Sequence, residues 1–564
     1  MKKRLTNYGD DDFALFLRKS FIKGFGHNDD ALDKPVIGII NTYSDFNSCH
    51  GNLNSLVEAS KAGVLAAGAL PLSFPTISLH ESFSFPTSMY LRNLMAMDTE
   101  EMMKALPLDA CILIGGCDKT VPAQIMGALS ANIPFVQLVT GPMSVGSFKG
   151  DRVGACTDCR RIWADYRSNN LTNEDVLEAS NQLVPTVGTC GVMGTASTMA
   201  LMVETLGLMV PGGACAPAVS AQRVRISEET GALAVKIANL NHNPRDWLTE
   251  RSFENALRVL LAVGGSTNGI IHLTAMAGRM GIDLSLDRLD ELGRNTPVIV
   301  DLKPSGEGYM EDLDKAGGLV RILTEIADLL YLDELTVSGE TLNQIIKRTR
   351  MSWPQSVVRT RGTPVFDSGG LAVLKGNLAP DGAIIKQSAA SSELIIHQGK
   401  AVVFDGLADL SNRIDDEDLD VSSKDILVLK NIGPKGAPGM PEAGLIPIPK
   451  KLARMGVKDM VRISDGRMSG TASGTIVLHV APEAAIGGPL NYVKNGDEIY
   501  LNVNTRTLKL LVSDEELQVR KKKMPIITTS PKRGYGKLFH EHVMQAPQGV
   551  DFDFLKGVDD EDKL

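Results

Sequence analysis

One pattern recurs in the first half of the chain: a short apolar run, a glycine-rich or polar turn carrying one cysteine, then an amphipathic helix. It is plainest across residues 108–131, LDACILIGGCDKTVPAQIMGALSA. Residues 110–114 are apolar with β-branched members, the pattern of a strand buried on both faces. Gly115-Gly116 ends the run, and Pro122 suits the first turn of a helix whose Ile125, Met126 and Leu129 have helical spacing. Between strand and helix stands Cys117-Asp118-Lys119, a soft thiolate, a hard carboxylate and an amine in one turn. Such residues make poor core, and in an open α/β sheet this turn is where ligands bind. It reads as a site.

The same order appears at residues 35–41 (PVIGIIN), followed by a polar loop with Cys49-His50 and a helix marked by Leu53, Leu56, Val57, Ser60 and Val64. It appears again where residues 183–187 lead into Gly188-Thr189-Cys190-Gly191 and a helix over 195–206. Such alternation predicts parallel strands joined by right-handed crossovers. It places Cys49, Cys117 and Cys190 together along the carboxyl edge of one sheet. Residues 70–79 form another extended run, ending on His80-Glu81, and 135–139 a further strand; residues 1–34 read as a helical lead-in. Residues 262–277 (AVGGSTNGIIHLTAMA) lack the lysine and spacing of a phosphate-binding loop and read as a helix capped by Ser266, Thr267 or Asn268.

Beyond residues 365–382 the helical pattern thins. Short runs at 401–404, 425–429, 475–478, 498–501 and 507–511, separated by turn residues, predict a β-rich second domain resembling a barrel. The expected architecture is α/β: an N-terminal domain with a parallel sheet over 1–370, then a C-terminal β-barrel-like domain over 371–564. The acidic end, Asp559-Asp560-Glu561-Asp562, is expected to be disordered.

Composition narrows the function. A net charge of -9 over 564 residues argues against nucleic acid as a partner, and Arg520-Lys521-Lys522-Lys523 reads as a solvated face. The basic N-terminus has no apolar segment behind it, and no apolar run nears the roughly 20 residues that span a bilayer. A cytoplasmic location without membrane contact is expected. Seven cysteines form no disulfide framework, so those at turns become candidates for metal.

Cys49, Cys117 and Cys190 read either as three thiolates on an iron–sulfur cluster with one iron position open, or as three unrelated buried cysteines. Glu81, Asp118 and Glu442 are hard oxygen donors at loops; grouped, they suit Mg²⁺, and singly they are surface carboxylates or caps. Lys119 alone reads as the ion-pair partner of Asp118. Cys156-Thr157-Asp158-Cys159 is a CxxC without a second pair or a preceding strand, which speaks against a ligand role; Cys111 reads as core. Two glycine-dense stretches, 430–444 and 464–474, carry Lys435, Glu442, Arg467 and Ser469, too specific a set of charges for linkers. No nucleophile elbow surrounds Ser469, so a hydrolase triad is disfavoured.

With these residues in view, GGCDKTVPAQIMGA, GTCGVMGTASTMA, GGLAVLKGNLAPDGA, GPKGAPGMPEAG and SDGRMSGTASG resemble the dihydroxy-acid and sugar-acid dehydratase family. The details ISLHE, PTSMYLRNLMAMD and CTDCRR look more like its aldonate branch. The resemblance implies a [2Fe–2S] cluster on Cys49, Cys117 and Cys190. It implies Mg²⁺ on Glu81, Asp118, Glu442 and a carbamylated Lys119, with Ser469 as catalytic base. The implied reaction removes water from a 2,3-dihydroxy acid, an aldonate such as arabinonate, xylonate or galactonate, to give a 2-keto-3-deoxy acid. The alternative is the dihydroxy-acid dehydratase of branched-chain amino-acid synthesis. A homodimer or homotetramer is implied too. One departure from the family pattern is His80, where a glycine is expected.

Overall fold

The cysteine-bearing turns sit on a four-stranded parallel sheet of order β2-β1-β3-β4, in a computed structural model that describes residues 3, 5, 8–523 and 531–557. A lead-in helix, α1 (Asp11–Lys23), is capped by the Asp10 carboxylate. Then come β1 (Val36–Asn41), α2 (Leu53–Ala66), β2 (Leu70–Pro75), α3 (Arg92–Ala105), β3 (Ala110–Gly115), α4 (Thr120–Ala131) and β4 (Phe135–Val139). The chain moves one way along the sheet from β1 to β2 and the other way from β2 through β3 to β4. Right-handed crossovers therefore put α2 on one face and α3 and α4 on the other. With both faces covered, every residue of β3 is buried, as its apolar run requires.

Glycines set how closely the covering helices approach. A Cβ on Gly63 of α2 would stand 1.9 Å from the Glu228 carbonyl oxygen of a later helix, and one on Gly127 of α4 would stand 2.4 Å from that of Ala96 in α3. Backbones touch there because no side chain intervenes. The loops after β1 and β3 flank the point where strand order reverses, the crevice in which open α/β sheets bind ligands.

Further helices follow, among them α5 (Thr157–Arg167), α6 (Thr195–Thr205), α7 (Ala221–Leu240), α8 (Glu250–Ala262) and α9 (Asn268–Arg279). The Gly-rich stretch joins α8 to α9; Thr267 at the N-cap position makes no side-chain cap bond, and the Asn268 backbone amide donates instead to Ser266 Oγ at 3.1 Å. Residues 183–187 form no strand, contrary to expectation. They run as a loop, tied by the Ala155 amide donating to the Leu183 carbonyl. Cys190 thus reaches the site from a loop beside the sheet, on the approach to α6.

The second half closes into an eight-stranded barrel of mixed pairing. Its strands are β5 (Ala372–Gly376), β6 (Ala379–Ile385), β7 (Ile396–Asp405), β8 (Ile426–Lys430), β9 (Arg462–Ser464), β10 (Ile476–Ala481), β11 (Glu498–Asn502) and β12 (Thr507–Leu510). Around the barrel the order is β8-β9-β10-β6-β5-β12-β11-β7. All five of the short runs named in the second half become strands; β5, β6 and β9 arise from stretches not among them. The basic stretch at 520–523 ends α10 (Asp514–Lys523) and is not wholly solvated: Arg520 is 8% exposed and donates to Asp497 and Glu516. The chain then returns to the first domain, where buried Arg92 takes the Gly549 and Val550 carbonyls and Arg279 pairs with Asp551 at 2.7 Å. The acidic end at 559–562 lies outside the described residues. No described helix is long and apolar enough to cross a membrane.

Candidate active site

The site is assembled from both domains around one buried cation. Lys119, at the start of α4, is fully buried, and its ammonium pairs with Asp118 and stands 3.7 Å from Glu81 Oε2 and 3.8 Å from Glu442 Oε1. Asp118 comes from the turn after β3, Glu81 from the segment after β2, and Glu442 from the barrel loop after β8. The three carboxylates of the proposed Mg²⁺ set thus converge on one point, with the lysine ammonium as the positive charge between them. Hard oxygens gathered around one buried ammonium are the donor type that a small divalent cation takes.

A second cation locks the set across the domain boundary. Arg467, 0% exposed, donates to Glu442 Oε1 at 2.5 Å, to Glu81 Oε1 at 3.2 Å and to Thr87 Oγ1 at 2.8 Å. Glu81 is further held by Ser88 Oγ and by Thr87 Oγ1 at 2.6 Å. Burial works to raise the Glu81 carboxyl, but Arg467, Lys119 and these hydroxyls hold it well below the usual range. Glu442 goes the other way: burial outweighs Arg467 and Lys119 and pushes it up. An acid so raised gains by sharing a full positive charge.

The thiols gather beside this cluster. Cys49 Sγ, Cys117 Sγ and a ring nitrogen of His80 all lie within 4.8 Å of one another. Cys190 stands with Cys156, the two sulfurs 3.6 Å apart. The groups share one field: Cys49 is pushed up first by its contact with Cys117, then by burial and the charges of Cys117 and Cys190. Cys190 is raised by Cys156, burial, Asp118 and Cys117. Soft thiols crowded in a buried pocket fit an iron–sulfur cluster, which neutralises the thiolates. His50 serves the turn: its Nε2 accepts the Gly116 and Cys117 amides at 3.0 and 3.1 Å, and its Nδ1–H donates to the Thr42 carbonyl at 2.7 Å. Burial lowers it to about 4, so it stays a neutral acceptor.

Ser469 follows Arg467 in the loop after β9. Its hydroxyl is 2.8 Å from Thr471 Oγ1. The loop is fitted tightly against the first domain: Thr157 Oγ1 donates to the Thr471 carbonyl at 3.0 Å and Asn268 Nδ2 to the Met468 carbonyl at 3.0 Å. A Cβ on Gly470 would meet Ser266 Cβ at 2.5 Å and Thr195 N at 2.9 Å. Beneath it lies Lys386, buried, donating to the Gly470 carbonyl at 3.3 Å.

Sequence patterns named the carboxylates, the lysine, three thiols and the serine, but not Arg467 as the bridge, nor Lys386, Thr87 or Ser88. Arg467 did stand out as a charge in a glycine-dense loop. A lysine ending the apolar run Ala383-Ile384-Ile385 was the available signal for Lys386. Nothing in the spacing of Cys156 marks it as a neighbour of Cys190. Cys111 is core, as read.

Residues 34–345 match the model of the dihydroxy-acid/6-phosphogluconate dehydratase N-terminal domain, and residues 356–550 that of the C-terminal domain. An L-arabinonate dehydratase of Rhizobium leguminosarum bv. trifolii is 46% identical, over 98% of this chain and 95% of its own. A 6-deoxy-6-sulfo-D-gluconate dehydratase of Pseudomonas putida is 41% identical over 97% of this chain and 95% of its own. A dihydroxy-acid dehydratase of Clostridium botulinum is 34% identical over 94% and 97%.

Proposed function

The chain belongs to the dihydroxy-acid/6-phosphogluconate dehydratase family, and we propose that it is a hydro-lyase converting a sugar acid of the aldonate type into its 2-keto-3-deoxy acid. The observation that carries this reading is the gathering of Asp118, Glu81 and Glu442 around the buried Lys119 ammonium, with Asp118 in the same turn as Cys117. The aldonate is favoured over the branched dihydroxy acid because the sugar-acid relatives are 41% and 46% identical and the dihydroxy-acid dehydratase 34%.

Glu81, Asp118 and Glu442 would hold Mg²⁺, and Cys49, Cys117 and Cys190 a cluster of the [2Fe–2S] type. Bound there, the two groups supply Lewis acidity toward the substrate's carboxylate and hydroxyls. Carbamylation of Lys119 would turn the cation among the carboxylates into a further anionic oxygen donor. Arg467 keeps Glu81 and Glu442 at fixed spacing and ties the barrel to the sheet. Ser469 Oγ takes the C2 proton, its alkoxide favoured by surrounding positive charge and oriented by Thr471. The proton taken by Ser469 is returned to the departing C3 hydroxyl, which leaves as water, and the enol that remains becomes the keto acid. Assembly into two or four copies is supported by α1 and the turn after it, which leave Phe13, Phe16, Phe21 and Phe25 exposed.

The test is an anaerobic preparation analysed for iron and sulfide, then assayed for keto acid with Mg²⁺ on five- and six-carbon aldonates and on 2,3-dihydroxy-3-methylbutanoate. Turnover of aldonates supports the reading. Turnover of the branched acid alone moves the protein to amino-acid synthesis, and a colourless, iron-free protein after reconstitution removes the cluster.

A further inference from the structure

Strand β6 leads into a cation that no carboxylate meets. Lys386 follows Ile385, is 1% exposed, and its ammonium donates to the Gly470 carbonyl at 3.3 Å. No charged group among the described residues acts on it; burial alone shifts its titration. Asp459 and Arg462, at the far end of the same loop, pair with each other, and Asp459 also takes the Ser391 and Thr475 hydroxyls. An ammonium carries three donors, so a single acceptor offsets little of the cost of burying it. Stability does not account for a charge in this place. What the ammonium touches is one end of a peptide whose other end reaches Ser469. The Gly470 carbonyl and the Thr471 amide belong to one planar, delocalised unit. The Thr471 N–H donates to Ser469 Oγ at 3.5 Å, and the Thr471 hydroxyl lies 2.8 Å from the same oxygen. A positive charge at the carbonyl draws electron density toward its oxygen and makes the N–H a stronger donor. The segment after β6 is itself fixed: Gln387 Nε2 donates to the Gly369 carbonyl at 2.6 Å, and the Ala389 carbonyl accepts the Gly474 amide at 2.8 Å.

We propose that Lys386 is a positioning residue for proton removal: its ammonium, acting through the Gly470–Thr471 peptide, stabilises negative charge on Ser469 Oγ. This rests on the reading that Ser469 takes the C2 proton. As Ser469 Oγ gives up its own proton, the Thr471 N–H and hydroxyl come to face an anion, and hydrogen bonds to an anion are shorter and stronger. The 3.5 Å contact is of the kind that tightens when charge develops. Lys386 supplies charge and no proton; all three of its N–H bonds survive the step. Burial lowers the ammonium to about 7, and an alkoxide on Ser469 raises it again, so the two groups ionise as a pair. The pair loses its first proton near neutral pH, and the alkoxide–ammonium form is then present. Without the cation, Ser469 Oγ ionises only at higher pH.

The test is the pH dependence of kcat, measured on anaerobic holoprotein with an aldonate deuterated at C2, which slows hydron removal so that it limits the rate. Wild type, Lys386→Met, Lys386→Arg and Ser469→Ala are compared, with rates expressed per iron. Methionine keeps the length of the side chain and removes the buried charge, so the variant folds. In Lys386→Met the limb on which kcat rises with pH should move up by about one pH unit. At pH 7 kcat then falls about tenfold with KM unchanged. Lys386→Arg keeps its charge at every pH and should hold the limb at or below its wild-type position, whatever the height of the profile. A limb that stays in place in Lys386→Met, or moves alike in the methionine and arginine variants, overturns the proposal, because packing and not charge then sets the rate. The reading of Ser469 survives that result. Wild-type kcat in Ser469→Ala overturns both.

Discussion

Replacing Lys386 with methionine isolates the cost of a buried charge beneath the Ser469 loop. Lys386 is 1% exposed and donates only to the Gly470 carbonyl, and no carboxylate pairs with it among the described residues. Burial pulls its ammonium down from 10.5 to about 7. The folded value lies below the unfolded one, so between them the unfolded chain holds a proton the native chain lacks. Stability from this group therefore rises with pH across that window, and below pH 7 the native state bears the whole desolvation cost. The gap corresponds to about 5 kcal/mol, of which roughly 2–3 kcal/mol is recovered between pH 7 and 9. Methionine keeps length and apolar volume without the charge. Urea unfolding at pH 6, 7.5 and 9 should show Lys386→Met more stable by several kcal/mol at pH 6, with the advantage shrinking as pH rises. Taking wild type minus variant cancels every group the two share. A difference that stays constant with pH would refute the reasoning, because Lys386 would then keep its proton throughout.

Arg467→Met strips the cation from Glu81 and Glu442; breaking such a buried pair costs about 3–5 kcal/mol. Thermal or urea unfolding of metal-free protein should show that loss, and millimolar Mg²⁺ should restore part of it because a divalent cation replaces the missing charge. Gly470→Ala drives a methyl into Ser266 and Thr195, so kcat should fall at least tenfold while the iron content is retained. Asp465 is raised to about 7 by burial and by Glu483, and accepts the Asn431, Ile432 and Ala484 amides. Its folded value lies above the unfolded one, so the stability it contributes is lost as pH rises from 4 through 7. Asp465→Asn should remove that slope in a pH series of unfolding midpoints.

The parts of the molecule legible in the sequence are those where one local rule acts alone. Residues 110–115 are apolar throughout because helices cover both faces of β3, and that pattern needs no knowledge of partners. The turn at Cys117-Asp118-Lys119 was legible because its chemistry contradicts every structural use of a turn. Residues 183–187 misled for the complementary reason: their apolar members belong to a loop beside the sheet, and periodicity over so few residues does not separate the two. Strand β9, only three residues long, has no periodicity to read. Arg467 and Lys386 were hidden because burial of a charge depends on what folds over it. The pairing of Cys156 with Cys190 joins residues from two loops, a contact that no spacing along the chain encodes.

The central claim, that this site eliminates water across C2 and C3 of a sugar acid, is tested most directly by running the anaerobic holoprotein on aldonates in D₂O and examining the product by NMR. The account predicts a 2-keto-3-deoxy acid with one deuterium at C3, put there as the enol becomes the ketone. A keto acid that retains its C3 hydroxyl, or aldonates recovered unchanged from protein with its cluster intact, would contradict it.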